Sequence, residues 1–409
     1  MTPTCRFCDT PLAETLVDLG LSPLSNAFVA PASLDDPETF LPLHVYVCSK
    51  CLLVQLPEHE SPNVIFTDYA YLSSYSQTWL DHCERFAERM VDELELKPDS
   101  RVVEIASNDG YLLQFFMTAG VQVLGIEPAA NVAQIASARG IPTESAFFGR
   151  QTAARLVNEG VRPRLIVGNN VLAHVPDLND FVAGIATLAN SETLVTLEFP
   201  HLLRLIEDRQ FDTIYHEHFS YFSLLVVERI ATVHGLTVHD VEELPTHGGS
   251  LRIFASLTQD APPVSQRVTT LRAKEAAARL EQLDAYRSFA GVVADLKCDI
   301  LEFLIGARRA GSTVVGYGAP AKGNTLLNYC GIGPELVAFT VDRNPLKQGA
   351  YLPGSHIPVL APDAIFEARP PYVLILPWNI RDEVTEQMES IREWGGRFVV
   401  LIPRVEILG

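Results

Sequence analysis

Two pairs of cysteines, Cys5-Arg-Phe-Cys8 and Cys48-Ser-Lys-Cys51, carry the clearest chemistry in the sequence. A C-x₂-C turn presents two thiolates to one ion, and two such turns complete a tetrahedral Zn²⁺ site. Four thiolates leave no open position for water, so the spacing predicts a closed structural site, not a catalytic one. Four unrelated thiols or two disulfides are the alternative, and the repeated spacing favours the metal. The gap from Asp9 to Val47 is longer than in a compact zinc ribbon, so a strand-rich loop is expected within it. Cys83, Cys298 and Cys330 are scattered and read as buried thiols.

A second set of reactive types lies in Glu104-Ile-Ala-Ser-Asn-Asp-Gly110 and in Gly125-Ile-Glu127-Pro128. Each follows a short apolar run, so both fall at the carboxyl ends of predicted parallel strands, where open α/β sheets bind ligands. A carboxylate such as Glu127 at the end of the second strand suits ribose hydroxyls. The first loop discriminates between cofactors. A pyrophosphate needs several glycines for close backbone approach. Here Gly110 stands alone, Ala106 occupies a usual glycine position, and Glu104 and Asp109 would repel phosphate. Acidic residues suit a cofactor bearing an ammonium and a sulfonium, S-adenosylmethionine.

Three stretches must position these groups. Residues 1–65 form the cysteine module, with a strand at Leu43 to Val47. The aromatic loop Phe66 to Ser76 follows, then a helix from about Trp79 to Leu94. Short Val/Ile/Leu-rich runs at Arg101–Ser107, Val121–Glu127, Arg164–Gly168 and Thr193–Phe199 alternate with helical patterns. They predict a parallel sheet covered on both faces, and hence a Rossmann-like domain over 66–245. A helical stretch from about Val264 to Ala310 introduces a second strand-helix series over 246–409, with strands at Ser312–Tyr317, Leu336–Val341, Tyr372–Leu376 and Arg397–Ile402. The fold class is therefore α/β, with a zinc module and two Rossmann-like domains. The 409 residues, 47% of them hydrophobic, suffice for several cores. A formal charge of −19 argues against nucleic acid as a partner. No signal peptide or membrane span is expected, and scattered thiols suit a reducing cytoplasm.

Several runs together resemble one family. VVEIASNDGYLL, GNNVLAHVPDL, YHEHFSYFS, the two C-x₂-C pairs and GYGAPAKGNTLLNY occur in the order found in the sugar C-methyltransferases of deoxysugar biosynthesis. The resemblance spans nearly the whole chain. It implies a zinc module, a central S-adenosylmethionine domain and a C-terminal nucleotide-sugar domain. It also implies methylation of a ring carbon, commonly C-3 and in some relatives C-5, of a TDP-linked keto-deoxysugar. Ala106 departs from the EIGSNDG pattern. On this reading Glu104, Ser107, Asn108, Gly110, Tyr111, Glu127 and Asn170 bind the cofactor, and the enzyme is expected to act as a monomer.

Tyr215-His216-Glu217-His218 gathers ionisable residues in an aromatic stretch, which is costly to bury without purpose. Methylating carbon beside a ketone needs a base with a pKa near neutral and donors for the developing oxyanion. His218 is the expected base, with Glu217 as its orienter or a substrate ligand. Tyr215 and His174 compete for contact with the keto oxygen or for the base role. A metal bound by His216 and His218 has no further ligands to support it. Gly316-Tyr-Gly-Ala-Pro-Ala-Lys322-Gly323, before a helix expected near Asn324, reads as the diphosphate site. Tyr69, Asn324, Asn328, Asp342 and Lys347 are further substrate candidates. Tyr69, Tyr71 and Ser73–Ser76 are expected as a lid over the methyl donor. The alternative for the glycines is tight helix–sheet packing. The alternatives for function are an NAD-dependent nucleotide-sugar dehydrogenase and a non-catalytic nucleotide-binding scaffold.

Overall fold

The computed structural model describes residues 3–61 and 72–408, so Tyr69 and Tyr71 lie outside the described residues. Near the N-terminus, β1 (Glu14–Ser22), β2 (Leu41–Val47) and β3 (Val54–Gln55) pair antiparallel in that order. Alternation in β2 sends Leu43, Val45 and Val47 inward, as a half-buried strand requires. The expected helix follows at Gln77–Glu93, with the Ser76 hydroxyl accepting from the Trp79 amide as its cap.

The central sheet contains β4 (Arg101–Ile105), β5 (Gln122–Ile126), β6 (Thr143–Glu144), β7 (Leu165–Asn169) and β8 (Leu194–Pro200), all parallel. The next strand, β9 (Ser220–Tyr221), leaves this domain and pairs with β3 of the N-terminal sheet. Then β10 (Leu236–Leu244) and β11 (Ser250–Leu257) return to the central sheet, where β11 lies antiparallel between β10 and β8. The spatial order is β10-β11-β8-β7-β4-β5-β6. Strand order reverses between β4 and β7, so the crevice there is the expected ligand position. This sheet runs through Leu257, past the boundary at 245 expected from sequence texture. The β10–β11 hairpin crosses that boundary, and only pairing could reveal it.

The C-terminal sheet holds β12 (Val314–Tyr317), β13 (Thr340–Val341), β14 (Val359–Leu360), β15 (Tyr372–Ile375), β16 (Arg397–Val400) and β17 (Glu406–Leu408). Their order is β14-β13-β12-β15-β16-β17, parallel except at β17, with its reversal between β12 and β15. The strand expected from Leu336 shrinks to β13 because the Leu336 and Val337 amides bond the Gly333 carbonyl in a turn.

Two further expectations change. The helical stretch from 264 to 310 breaks into Gln266–Ala277, Asp284–Arg287 and Phe289–Arg309. Neither glycine nor proline marks the break. It follows from burial of Leu280, whose carbonyl accepts from the Tyr286 hydroxyl at 2.7 Å, and from Arg279 at φ 59°. Cys298 is exposed, because Val293, Leu296, Ile300 and Leu304 take the buried stripe of its helix.

Candidate functional site

The two cysteine turns fold identically. Asp9 and Leu52, each one residue past the second cysteine of its pair, adopt positive φ. Their amides bond the carbonyls of Cys5 and Cys48, both at 2.9 Å. All four sulfurs lie within 4.8 Å of one another, with Cys5–Cys51 and Cys8–Cys48 each at 3.5 Å. Zn–S bonds of 2.3 Å in a tetrahedron require sulfurs about 3.8 Å apart, so the cluster fits one Zn²⁺. Gln55 Nε2 donates to Cys5 Sγ at 3.1 Å, which supports a thiolate there. Contact with Cys51 holds the Cys5 thiol down at about 4, while contact with Cys5 and burial push Cys51 up. Arg6 reaches the carbonyls of Pro176 and Leu56, and Arg229 reaches that of Cys51, so both turns dock onto the central domain. The site is structural in its surroundings as well as in its donor set.

The crevice between β4 and β7 gathers the expected cofactor residues. Ala106, Asn108 and Gly110 have φ of 58°, 49° and 81°, so the chain after β4 turns through left-handed conformations. At Gly110 a Cβ would also come within 2.1 Å of Ile141, so only glycine fits. Glu127 accepts from the amides of Asn108 and Ala129, both at 2.9 Å, and so holds this loop. Burial raises its pKa. Burial pushes Glu104 well up despite the Tyr111 hydroxyl beside it, with Glu127 and Asp109 adding repulsion. Among the described residues, neither Glu104 oxygen has a full hydrogen bond, nor do Ser107 Oγ, Asp109 Oδ1, Asn169 Oδ1 and Asn170 Oδ1. Buried acceptors left bare around three carboxylates call for a cationic ligand rich in donors. The donor set fits S-adenosylmethionine. Asp109, absent from the expected cofactor residues, is bonded by Ser74 and Arg139.

The 215–218 loop runs from the 3-10 turn Phe211–Thr213 into β9. Its C-terminal end is held from two sides: the Phe219 amide bonds the Ala173 carbonyl at 2.7 Å, and the Phe219 carbonyl takes the Leu56 amide at 3.0 Å. The His218 ring lies 3.9 Å from that of Tyr215, tilted, and 4.8 Å from that of His174, edge-on, centroid to centroid. Its Nδ1 lies 2.8 Å from the Thr213 carbonyl. A carbonyl only accepts, so Nδ1 carries the proton and Nε2 the lone pair. Two expectations are corrected here. The group that orients His218 is the Thr213 carbonyl, not the Glu217 carboxylate. The ring is also not poised near neutrality: burial, His174, His247 and Lys322 depress its pKa well below 6.5. Burial likewise holds His174 and His216 at about 4. Glu217 instead accepts from Asn26 Nδ2 at 2.6 Å, and burial raises its pKa to about 7.

The glycine-rich segment departs furthest from expectation. Its helix starts at Ala321, so Lys322 sits in the first turn. A Cβ at Gly316 would lie 2.6 Å from Thr340, one at Gly318 2.6 Å from Pro377, and one at Gly323 3.0 Å from Leu376. The glycines thus serve packing, the alternative weighed against an anion loop. Lys322 Nζ donates to Asn379 Oδ1 at 2.6 Å and lies 4.6 Å from the Trp378 ring. The Trp378 indole donates to Asp212 Oδ2 at 2.7 Å, and Thr325 Oγ1 to the Ile214 carbonyl at 2.9 Å. Asp342 is taken up by the amides of Ala319 and Asn344, and Lys347 by the Ala319 carbonyl. Asn328 binds the carbonyls of Asn324 and Pro353. Asn324 is buried, and its Nδ2 has no partner among the described residues.

Sequence reasoning missed Asp212, Trp378, Asn379 and Asn26. The one available signal was Asp212, three positions before Tyr215. It also missed a buried network behind the crevice. There, against the upward push of burial, His82, Arg252 and Thr246 hold Glu198 at about 2.

Residues 5–66 match the zinc binding domain model, 73–241 the methyltransferase domain and 245–403 the C-methyltransferase C-terminal domain. The C-methyltransferase NovU of Streptomyces niveus is 35% identical over 404 residues, covering 99% of this chain and 96% of its own. Magnesium protoporphyrin IX methyltransferase of Synechocystis PCC 6803, solved with bound SAM, is 15% identical at a TM-score of 0.32, over 44% of this chain and 80% of that one. An S-adenosylmethionine-dependent methyltransferase of Clostridium acetobutylicum is 8% identical at a TM-score of 0.35, over 44% and 92%.

Proposed function

The chain belongs to the C-methyltransferase family, and from that footing we propose that its acceptor is a nucleotide sugar, namely a TDP-linked 4-keto-deoxysugar methylated at C-3. The dehydrogenase and scaffold alternatives fall with the family. S-adenosylmethionine supplies an electrophilic methyl group. The Glu127 carboxylate and the buried acceptors Glu104, Ser107, Asn108, Asn169 and Asn170 hold that donor. Zn²⁺, in the four-cysteine cluster, is structural.

His218 takes the proton alpha to the ketone. The observation that carries this role is its Nδ1–H bond to the Thr213 carbonyl, which leaves the Nε2 lone pair as the basic site. Its depressed pKa keeps the ring unprotonated at neutral pH, at the expense of basicity. A carbon beside a ketone is acidic enough to be deprotonated by such a base, given donors at the developing oxyanion. Tyr215 and His174, whose rings both contact His218, are the candidates to supply them.

A panel of TDP-4-keto sugars incubated with S-adenosylmethionine tests the acceptor. Mass gain of one methylene, traced to C-3 by NMR, is expected. Failure of every TDP-keto sugar, with methyl transfer to another nucleotide sugar, would overturn the acceptor and leave the family standing.

A further inference from the structure

Asn26 belongs to the cysteine module, yet its amide reaches the centre of the molecule. It lies in the turn after β1 and donates to Glu217 Oε1 at 2.6 Å. The segment around it is strapped to the C-terminal domain. Val29 and Tyr351 exchange backbone bonds at 2.9 Å each way. Lys347 Nζ lies 5.4 Å from the Phe28 ring centroid, and Glu38 takes the Gly354 amide at 2.9 Å together with the His356 ring. A turn anchored this firmly on its far side presents Asn26 at a fixed place. Glu217 is buried, and its carboxylate receives this one hydrogen bond, leaving Oε2 unbonded among the described residues.

We infer that Asn26 is a positioning residue for Glu217: it pins Oε1 from the zinc module so that Oε2 faces the acceptor sugar. This rests on the reading of the 215–218 loop as the catalytic loop. One carboxylate oxygen fixed and the other bare is the arrangement that reads a hydrogen-bond donor, such as a sugar hydroxyl or amine beside the reacting carbon. The bond also stabilises the charged form. Without it, burial would push the carboxyl above its value of about 7, with Lys347 the remaining charge to oppose this. The titratable neighbours His174, His216 and His218 are all held neutral by burial near pH 7, so of these four groups Glu217 is the one that titrates there.

The test is Asn26→Leu, close in volume and without a donor, beside Glu217→Gln, with kcat followed from pH 6 to 9. Zinc content and affinity for S-adenosylhomocysteine are measured alongside and are expected to be unchanged. With the carboxyl moved up by about one unit from about 7, its ionised fraction, and with it kcat at pH 7, is expected to fall by about 5-fold. The acid limb should move to higher pH by about one unit, with recovery toward wild type near pH 9. Equal kcat and an unmoved limb, while Glu217→Gln is impaired, would overturn the inference and spare the catalytic reading. A fully active Glu217→Gln would overturn the reading itself. A uniform loss across pH would mark Asn26 as merely structural and overturn the inference. Should Asn26→Leu lose zinc or fail to fold, Asn26→Asp reads the same contact: it should be far less active at pH 8 than at pH 6, where the two carboxyls share a proton. A flat ratio there would refute it.

Discussion

The central and C-terminal sheets share one architecture, with strand order reversing next to the first strand, yet their carboxyl edges have opposite fates. At the central edge, Glu104, Asp109 and Glu127 converge, and several buried acceptors have no partner among the described residues. At the C-terminal edge the corresponding loops are closed. Asp342 is satisfied by backbone amides, the glycines pack against Thr340, Pro377 and Leu376, and Trp378 is bonded by Asp212 of the central domain. The same topology thus makes a receptor in one place and an interface in the other. The convergence of three carboxylates tells them apart, where glycine content does not.

Substituting the group between the two edges should have the largest effect. His218→Ala is expected to lower turnover by about 10²–10⁴-fold while S-adenosylhomocysteine still binds. Solvent-deuterium incorporation into the sugar, with S-adenosylhomocysteine present, follows the deprotonation alone. Unaltered exchange in this variant would move the base role to Tyr215 or His174.

Glu127→Ala probes the open edge. Affinity for S-adenosylhomocysteine, measured by calorimetry, should fall by about 10- to 100-fold, the loss of about 1.5–3 kcal/mol in bonds to a charged group. Part of this loss comes from the loop itself, since Glu127 ties the Asn108 and Ala129 amides. Equal affinity would show that the carboxylate serves the loop only.

Asp212 probes the closed edge, where stability rather than affinity should respond. Burial raises its pKa from 3.8 to about 6, so the native state binds a proton that the unfolded chain has released. Its contribution is therefore full below pH 3.8 and lost as pH rises through about 6. Unfolding free energy of wild type relative to Asp212→Asn should fall between pH 4 and pH 7, by roughly 1–3 kcal/mol. If this variant changed cofactor affinity more than Glu127→Ala, the contrast between the edges would fail.

The smallest effect is expected at Ala106, whose φ of 58° is strained for a residue with a Cβ. Ala106→Gly should stabilise by about 0.5–1 kcal/mol, relief of left-handed strain less the extra chain entropy. Urea unfolding reads it, and a destabilised variant would show that the methyl packs usefully.

This last case shows how the sequence can be read and where reading stops. Ala106 stood out because a glycine was expected there, and the backbone supplies the reason. Cys5, Cys8, Cys48 and Cys51 were legible because metal chemistry fixes both residue type and local spacing. Apolar runs placed β4, β5, β7 and β8 because buried parallel strands have a distinctive composition. Asp212 with Trp378, and Asn26 with Glu217, were not legible: each pair joins distant segments, and neither partner bears a local mark of the other. The surroundings of Lys322 were not legible for a related reason. A lysine after glycines suggests phosphate until the Trp378 ring and Asn379 are seen around it.

The N-terminal sheet borrows β9 from beyond the whole parallel core, and this orders events during synthesis. Chains emerge N-terminus first, so β1 to β3 exist well before Ser220 and Tyr221 are made. Until then Val54 and Gln55 present a bare strand edge, open to pairing with a neighbouring nascent chain. Early capture of Zn²⁺ would hold the two cysteine turns together through that interval. The arrival of β9 would then close the edge and seat the 215–218 loop in a single event, making the placing of that loop the last step in assembling the first-made part of the chain.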